Sequence, residues 1–171
     1  MNNTNTFPTI FFLSTLLSCA DMDAKGQNIE SFEIEILNSY FAEAYTVSTI
    51  LTDKQLKIVF KSGIAGTKDR TVFAEALTFS DTLRQIGEMD LTKLKAYYSN
   101  PCINDGSQIT ITLNKDGKTK SIHLSNYYHG AIGKIIYLSN SLVPEKYKVW
   151  YDKKILIDEY KACGELTNRK S

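Results

Sequence analysis

The sequence predicts an α+β fold, a single antiparallel sheet of about six strands with three to four helices, in the order β-β-β-β-α-α-β-β-α-α. Apolar and polar residues alternate with period two in the first half of the chain, as in strands with one buried face. Asp116-Gly117 separates two such alternating runs, which is typical of a tight hairpin. Apolar residues recur at helical spacing after Gly130. A sheet with one apolar face needs cover, so we expect the helices mainly on one side.

The N-terminus has the features of an export signal. The first eighteen residues contain no charged side chain, and residues 7–17 form a largely apolar run. This run is shorter than the roughly 20 residues that span a bilayer as a helix, but it has the length of a signal-peptide core. The alternative is a buried strand or helix of a cytosolic protein.

Leu16-Leu17-Ser18-Cys19 follows this run and resembles the lipobox of bacterial lipoproteins, with Cys19 as the lipid acceptor. Residues 1–6 depart from the usual pattern because they carry no lysine or arginine. We expect a signal peptide over 1–18, a lipidated flexible tether over 19–30, and a location in the bacterial cell envelope, with the membrane as a partner through the lipid.

One domain is predicted over residues 31–165, followed by a disordered tail over 166–171. Its first strand begins with Phe32, Ile34 and Ile36, which alternate with acidic residues. Further strands are predicted over 45–51, 55–61 and 70–78, and the four fit an antiparallel meander. A helix from Ser80 or Asp81 to Met89 should follow. A second should begin at Asp90, carry Leu91, Leu94 and Tyr98 on one face, and end at Asn100-Pro101.

A β-hairpin over residues 108–124 is the clearest local pattern in the chain. If Asp116-Gly117 forms a two-residue type I′ turn, the register sets Ile111 opposite Ile122 and Ile109 opposite Leu124. The same register sets His123 beside Thr110 on the polar face. After the hairpin, a helical segment should end at Pro144, and a last helix should start at Asp152.

The chain from residue 90 to 163 looks like small exported lipoproteins of the Bacteroidetes type. The resemblance rests on Tyr97 to Cys102, the hairpin, Asn126-Tyr127-Tyr128, the isoleucine-rich helix and Val143 to Tyr147. It implies an envelope address and carries over no catalytic residue.

The three cysteines fit this address. Lipidation of Cys19 leaves the pair Cys102 and Cys163, which we expect to form a disulfide outside the cytoplasm, stabilising the fold by about 4 kcal/mol. The alternative is two buried free thiols. In either case Cys102 is a poor candidate nucleophile.

Length and charge narrow the function classes. A chain of 171 residues fits one domain able to exist as a monomer. The 20 basic and 19 acidic residues almost cancel, which argues against binding to a nucleic-acid backbone.

No motif predicts a catalytic residue, a metal site or a cofactor. His123 and His129 are the only histidines, too few for a zinc site without added ligands, and the nucleophile elbow of serine hydrolases is absent. Paired carboxylates such as Glu33 with Glu35 are better explained as a solvated face. The enzymatic alternative is a small envelope hydrolase using His123 or His129 with a carboxylate.

Clustered aromatic residues are the feature that most favours a function. Adjacent aromatic side chains diverge, so some of them should be exposed and able to contact a protein or stack on a sugar. The alternative is that they wrap an edge of the core. The candidate partner-binding residues are Tyr127, Tyr128, His129, Tyr147, Trp150 and Tyr151. We therefore expect a non-catalytic envelope lipoprotein that binds an unknown protein or glycan, a class that includes immunity-type inhibitors of incoming toxins.

Overall fold

A computed structural model describes residues 31–40 and 45–168. They form one seven-stranded mixed sheet with three α-helices and a short 3-10 helix. In chain order the elements are β1 (Phe32–Tyr40), β2 (Tyr45–Thr52), β3 (Gln55–Ser62), β4 (Arg70–Ala76), α1 (Asp81–Gly87), β5 (Tyr97–Ser99), β6 (Ser107–Lys115), β7 (Lys118–Ser125), α2 (Gly130–Asn140), the 3-10 helix (Glu145–Tyr147) and α3 (Lys153–Asn168). The strand order across the sheet is β4-β3-β2-β1-β6-β7-β5. The predicted α+β class is confirmed.

The first four strands form the predicted antiparallel meander, with each strand beside the next. The β2–β3 turn is held by Thr52, whose hydroxyl accepts hydrogen bonds from the N–H groups of Lys54 and Gln55 at 3.1 and 2.9 Å. On its other side β1 pairs with β6, which places Ile36 opposite Ile111. The N-terminal strand is therefore at the centre of the sheet.

The β6–β7 hairpin has the predicted register. Asp116 and Gly117 both have positive φ angles, 52° and 69°, as a type I′ turn requires. Ile111 lies opposite Ile122, Ile109 opposite Leu124 and Thr110 opposite His123. Because side chains alternate along a strand, this register sends the isoleucines to one face and His123 to the other.

The predicted second helix over residues 90–100 is wrong. Asp90 does accept a hydrogen bond from the Thr92 N–H at 2.8 Å, but the chain makes only a short turn there. It then continues as β5, parallel to β7, with Tyr98 beside Leu124. The open edge of β7 offers N–H and carbonyl groups that an extended chain can hydrogen-bond and a helix cannot. In addition, Pro101 restricts Asn100 to an extended conformation. The sheet is consequently mixed, with seven strands rather than about six.

The apolar face of the sheet and the helices form the core. Ile34, Ile36 and Ile111 are at most 1% exposed, and Leu83 of α1 and Ile135 of α2 complete the same buried cluster. Burial of each such side chain contributes roughly 1.5–3 kcal/mol. The opposite face of β1, β2, β3, β6 and β7 carries mostly polar side chains, and we call it the hydrophilic face.

Several predictions fall on residues outside the described ranges: the signal peptide over 1–18, the tether over 19–30 and lipidation at Cys19. At the other end, α3 continues to Asn168, beyond the predicted domain boundary at 165 and into the predicted tail over 166–171. Within the described ranges, no helix is long and apolar enough to cross a membrane.

Candidate functional site

The loop after β7 carries three of the predicted partner-binding residues and is held firmly in place. Asn126, with a positive φ of 49°, accepts a hydrogen bond from the Ser107 N–H at 2.9 Å and donates one to the Asp105 carbonyl at 2.8 Å. Gly106 allows this approach, because a Cβ there would lie 2.5 Å from the Asn126 amide oxygen. The loop that follows therefore starts from a fixed position.

Tyr151 closes this loop from the C-terminal side. Its hydroxyl donates to the Tyr127 carbonyl at 2.9 Å and accepts from the His129 N–H at 2.8 Å. Burial raises the pKa of the Tyr151 hydroxyl well above its usual value of 10.0, so this group stays protonated and keeps both roles. Tyr151 thus works mainly as a brace for residues 127–129.

The rings around this brace pack on one another. Tyr98 stacks on Tyr127 with centroids 5.4 Å apart and lies 5.0 Å from the His129 ring. Tyr160 of α3 meets Tyr127 edge-on at 5.1 Å. Such pairs each contribute about 0.5–1.5 kcal/mol beyond their burial. Tyr127 and His129 are therefore largely committed to packing, as the core-edge alternative predicts, although the Nδ1 atom of His129 is buried without a hydrogen-bond partner.

Tyr128 lies on the outer side of this packing. Its ring stacks on Tyr151 with centroids 5.2 Å apart and rests against Gly133 in the first turns of α2. The Lys153 ammonium lies 5.9 Å from the Tyr128 ring centroid, within the range of a cation–π contact. Tyr128 thereby connects the start of α2 to the start of α3.

Two exposed aromatic side chains lie on the chain segments that make this contact. Tyr137 is one helical turn beyond Gly133 on the same face of α2 and is 75% exposed, and Trp150 is 42% exposed. Asn140, the next residue along that helix face, hydrogen-bonds both the N–H and the carbonyl of Val149, at 2.9 and 2.8 Å. This pairing holds the segment of Trp150 alongside α2. We call Tyr128, Tyr137, Trp150 and Tyr151 the aromatic surface.

Tyr137 is not among the binding residues predicted from the sequence. The signal was present, because Ile132, Ile135 and Ile136 define the buried side of α2 and Tyr137 lies two residues, or about 200°, beyond Ile135. Tyr147, in contrast, was predicted but lies elsewhere. Its ring packs 6.1 Å from Phe73 of β4, and its hydroxyl donates to the Val72 carbonyl at 3.4 Å.

The chain segment that carries the aromatic surface is basic in sequence. Residues 128–154 contain five lysines against two acidic residues, a local excess of three positive charges in a chain whose net charge is +1. The lysines are Lys134, Lys146, Lys148, Lys153 and Lys154. Lys148 is paired with Glu145 at 2.5 Å, and Asp152 accepts a hydrogen bond from the Ile155 N–H at the start of α3. Positive charge therefore predominates along this segment, and the Lys153 ammonium lies against the Tyr128 ring.

No family model, curated protein or solved structure matches the chain. What the surface binds must consequently be inferred from its own chemistry.

The two histidines of the hydrolase alternative lie in different surroundings. His123 makes ring-nitrogen hydrogen bonds to Thr110 and Gln108, both at 3.0 Å, and neither partner is a carboxylate. Within the described ranges, neither His123 nor His129 is hydrogen-bonded to an acidic side chain, and no cluster of three His, Cys, Asp or Glu residues could hold a metal ion.

Cys102 and Cys163 form a disulfide, with their Cα atoms 5.6 Å apart. The bond ties the segment after β5 to α3, on the side where Tyr160 meets Tyr127. It also occupies the sulfur of Cys102, so a dyad of Cys102 with either histidine does not exist in this structure.

Two clefts, of about 530 and 500 Å³, lie at the other end of the sheet, beside the Asp116–Gly117 turn. Two lysines along the second cleft already donate to backbone carbonyls, Lys115 to Gly87 at 2.9 Å and Lys120 to Leu94 at 2.6 Å. These bonds fasten the hairpin to the last residue of α1 and to the segment after it, and we assign them a structural role.

Proposed function

We propose that this chain is a lipid-anchored, non-catalytic protein of the bacterial cell envelope, and that its domain binds a protein partner through the aromatic surface. The observation that carries the proposal is the pair of exposed rings, Tyr137 and Trp150, on a base made rigid by Tyr151 and Asn140. Trp and Tyr are the residues most enriched among those that dominate protein–protein binding energy. A rigid base reduces the entropy lost when a partner docks.

The position of the surface supports this proposal. The chain enters the sheet at Phe32, which pairs with Lys115 beside the hairpin turn. The aromatic surface follows Ser125, at the opposite end of the eight-residue strand β7. At about 3.3 Å per residue the two ends are roughly 25 Å apart. In a protein anchored through Cys19, the aromatic surface would face away from the tether and be accessible to a partner.

The charge around the surface indicates the kind of partner. Lys153 lies against the Tyr128 ring and residues 128–154 carry an excess of lysine, so a complementary protein surface would present acidic side chains around an apolar centre. Electrostatic attraction of this kind accelerates association and weakens as salt is added.

The proposal can be tested in the native cell with the full chain carrying a C-terminal affinity tag. After crosslinking and purification, the protein with both Tyr137→Ala and Trp150→Ala should recover its partner at least about 30-fold less, the effect of losing roughly 2 kcal/mol at a dominant contact. The matched control carries Tyr45→Ala and Ile64→Ala. These changes remove two exposed apolar side chains that lie outside the aromatic surface.

A stoichiometric protein with an acidic surface, recovered by the wild type and the control but lost from the double variant, is the expected result. Equal recovery by all three proteins would contradict the role of the aromatic surface. Recovery of a polysaccharide in place of a protein, with the same dependence on Tyr137 and Trp150, would overturn the assignment of the partner class.

A further inference from the structure

The hydrophilic face of β6 and β7 carries a ladder of hydrogen bonds between uncharged side chains. Thr110 bonds His123 at 3.0 Å, Thr112 bonds Ser121 at 3.2 Å, and Thr119 donates to Asn114 at 2.7 Å. Cross-strand pairs of this kind stabilise a sheet by only about 0.2–1 kcal/mol each. They also hold each hydroxyl and amide at a defined position before any ligand binds to that face.

An aromatic ring stands at the end of this ladder. Tyr97 of the edge strand β5 is 56% exposed and stacks on the His123 ring, with centroids 5.4 Å apart and planes 4° from parallel. His123 is held through both ring nitrogens, by Thr110 and by Gln108, and the Gln108 amide in turn donates to Ser125 at 2.9 Å. One face of the Tyr97 ring is thus supported, and the ring remains accessible at the edge of the sheet.

We propose that this part of the hydrophilic face, from β6 across β7 to Tyr97, binds an uncharged oligosaccharide. A sugar ring has an apolar C–H face that packs on an aromatic ring, while its hydroxyls both donate and accept hydrogen bonds. Tyr97 offers the ring, and the Thr, Ser, Gln and Asn side chains of the ladder can both donate and accept. Their fixed positions lower the entropic cost of binding.

Charge decides in favour of a neutral ligand. The hydrophilic-face residues of β6 and β7 are Gln108, Thr110, Thr112, Asn114, Thr119, Ser121, His123 and Ser125, and none is acidic or a lysine or arginine. On the neighbouring strand β1, Glu33 accepts a hydrogen bond from the Asn114 amide at 3.2 Å, and Glu35, which lies opposite Thr112, is paired with Lys61. The carboxylates of Glu33 and Glu35 lie beside this part of the face and disfavour an acidic ligand, whereas the aromatic surface, with Lys153 against the Tyr128 ring, suits an acidic partner. The two sites are independent.

The test is an NMR titration of the ¹⁵N-labelled full chain with four soluble neutral hexasaccharides at millimolar concentration: maltohexaose, cellohexaose, chitohexaose and mannohexaose. At least one should shift the amide signals of Tyr97, Gln108, Thr112 and Ser121. Tyr97→Ala should weaken that binding about tenfold, the effect of losing a stacking contact of roughly 1.4 kcal/mol. Thr112→Val, which keeps the side-chain volume, should weaken it several-fold.

Tyr45→Ala is the matched control, because Tyr45 is similarly exposed but lies on β2 outside the ladder. Its affinity should equal that of the wild type. Absence of shifts with all four hexasaccharides would overturn the proposal, as would shifts confined to other surfaces or unchanged affinity in Tyr97→Ala. Loss of protein capture in the Tyr137→Ala and Trp150→Ala protein would leave this titration unaffected, so the two proposals can fail separately.

Discussion

The Tyr128 side chain lies so close to Gly133 that a Cβ on residue 133 would be 2.5 Å from the Tyr128 hydroxyl oxygen. Gly133→Ala should therefore displace the Tyr128 ring from Tyr151. Overpacking costs about 1–3 kcal/mol, and the better helix propensity of alanine returns about 1 kcal/mol. We expect the free energy of unfolding to fall by about 1 kcal/mol in urea titrations.

Two comparisons separate the close contact from a general effect of glycine replacement. Gly130→Ala, where no atom lies within 4 Å of the new Cβ, should not destabilise the protein. In a Tyr128→Ala background, Gly133→Ala should become neutral or stabilising by up to about 1 kcal/mol. If it remains destabilising there, the Tyr128 contact is not the cause.

Asn140 holds the segment of Trp150 through Val149, so its removal should loosen the aromatic surface. Asn140→Ala leaves the N–H and the carbonyl of the buried Val149 without partners, which should lower the free energy of unfolding by about 2 kcal/mol. Hydrogen exchange of the Val149 amide should accelerate. Lys134→Ala, at an exposed position of the same helix, should cost under about 0.5 kcal/mol. Unchanged exchange at Val149 would refute the bracing role of Asn140.

The disulfide should contribute substantially to stability, because it closes a loop with a sequence separation of 61. In the chain-entropy model, Cys102→Ser with Cys163→Ala should lower the free energy of unfolding by about 4 kcal/mol. Thermal unfolding with and without reductant measures the same effect in the unmodified chain. Identical melting temperatures under both conditions would show that the two cysteines do not pair in solution.

Glu35 should make stability depend on acid pH. Burial alone raises the pKa of Glu35, but hydrogen bonds from Lys61 and Ser48 outweigh burial and hold it below 4.5. A carboxyl group with a lowered folded-state pKa stabilises the protein above its unfolded-state value, and that contribution is lost as the pH falls through the folded-state pKa. Glu35→Gln should thus flatten the decline in unfolding free energy below about pH 4.5. Urea titrations from pH 7 to 3 that show the same slope for both proteins would exclude this role.

Lipid anchoring predicts that Cys19→Ala releases the protein from membranes. In fractionated native cells the wild-type protein should sediment with the membrane fraction and the variant should stay in the supernatant. Mass spectrometry of the wild type should find an acylated N-terminal Cys19. A wild-type protein with an intact Met1 in the cytosol would overturn the address.

Most of the fold could be predicted because its signals are local. Alternation located β1 to β4, and the Asp116–Gly117 turn determined the register that pairs Ile111 with Ile122. The β5 segment could not be found this way, since Leu91, Leu94 and Tyr98 have helical spacing. Its strand conformation depends on the open edge of β7, which is distant in sequence.

For the candidate site, the sequence predicted which aromatic residues take part but not how they are arranged. The sequence shows that Tyr127, Tyr128 and Trp150 are close along the chain, but which ring faces inward depends on the Tyr98 and Tyr160 partners from other elements. The ladder on the hydrophilic face was visible only as Thr110 beside His123. Tyr97 joins the ladder only because its segment forms β5, and that segment was predicted to be a helix.

The central position of β1 has a consequence for how the chain acquires its structure. One edge of β1 can pair with β2 soon after both strands are synthesised. The other edge of β1 stays unpaired until β6 is made, about 75 residues later along the chain. Until then a strand rich in isoleucine presents free backbone groups and an uncovered apolar side. Contacts so distant in sequence slow folding, so the newly made N-terminal half is the form of this protein most in need of a chaperone.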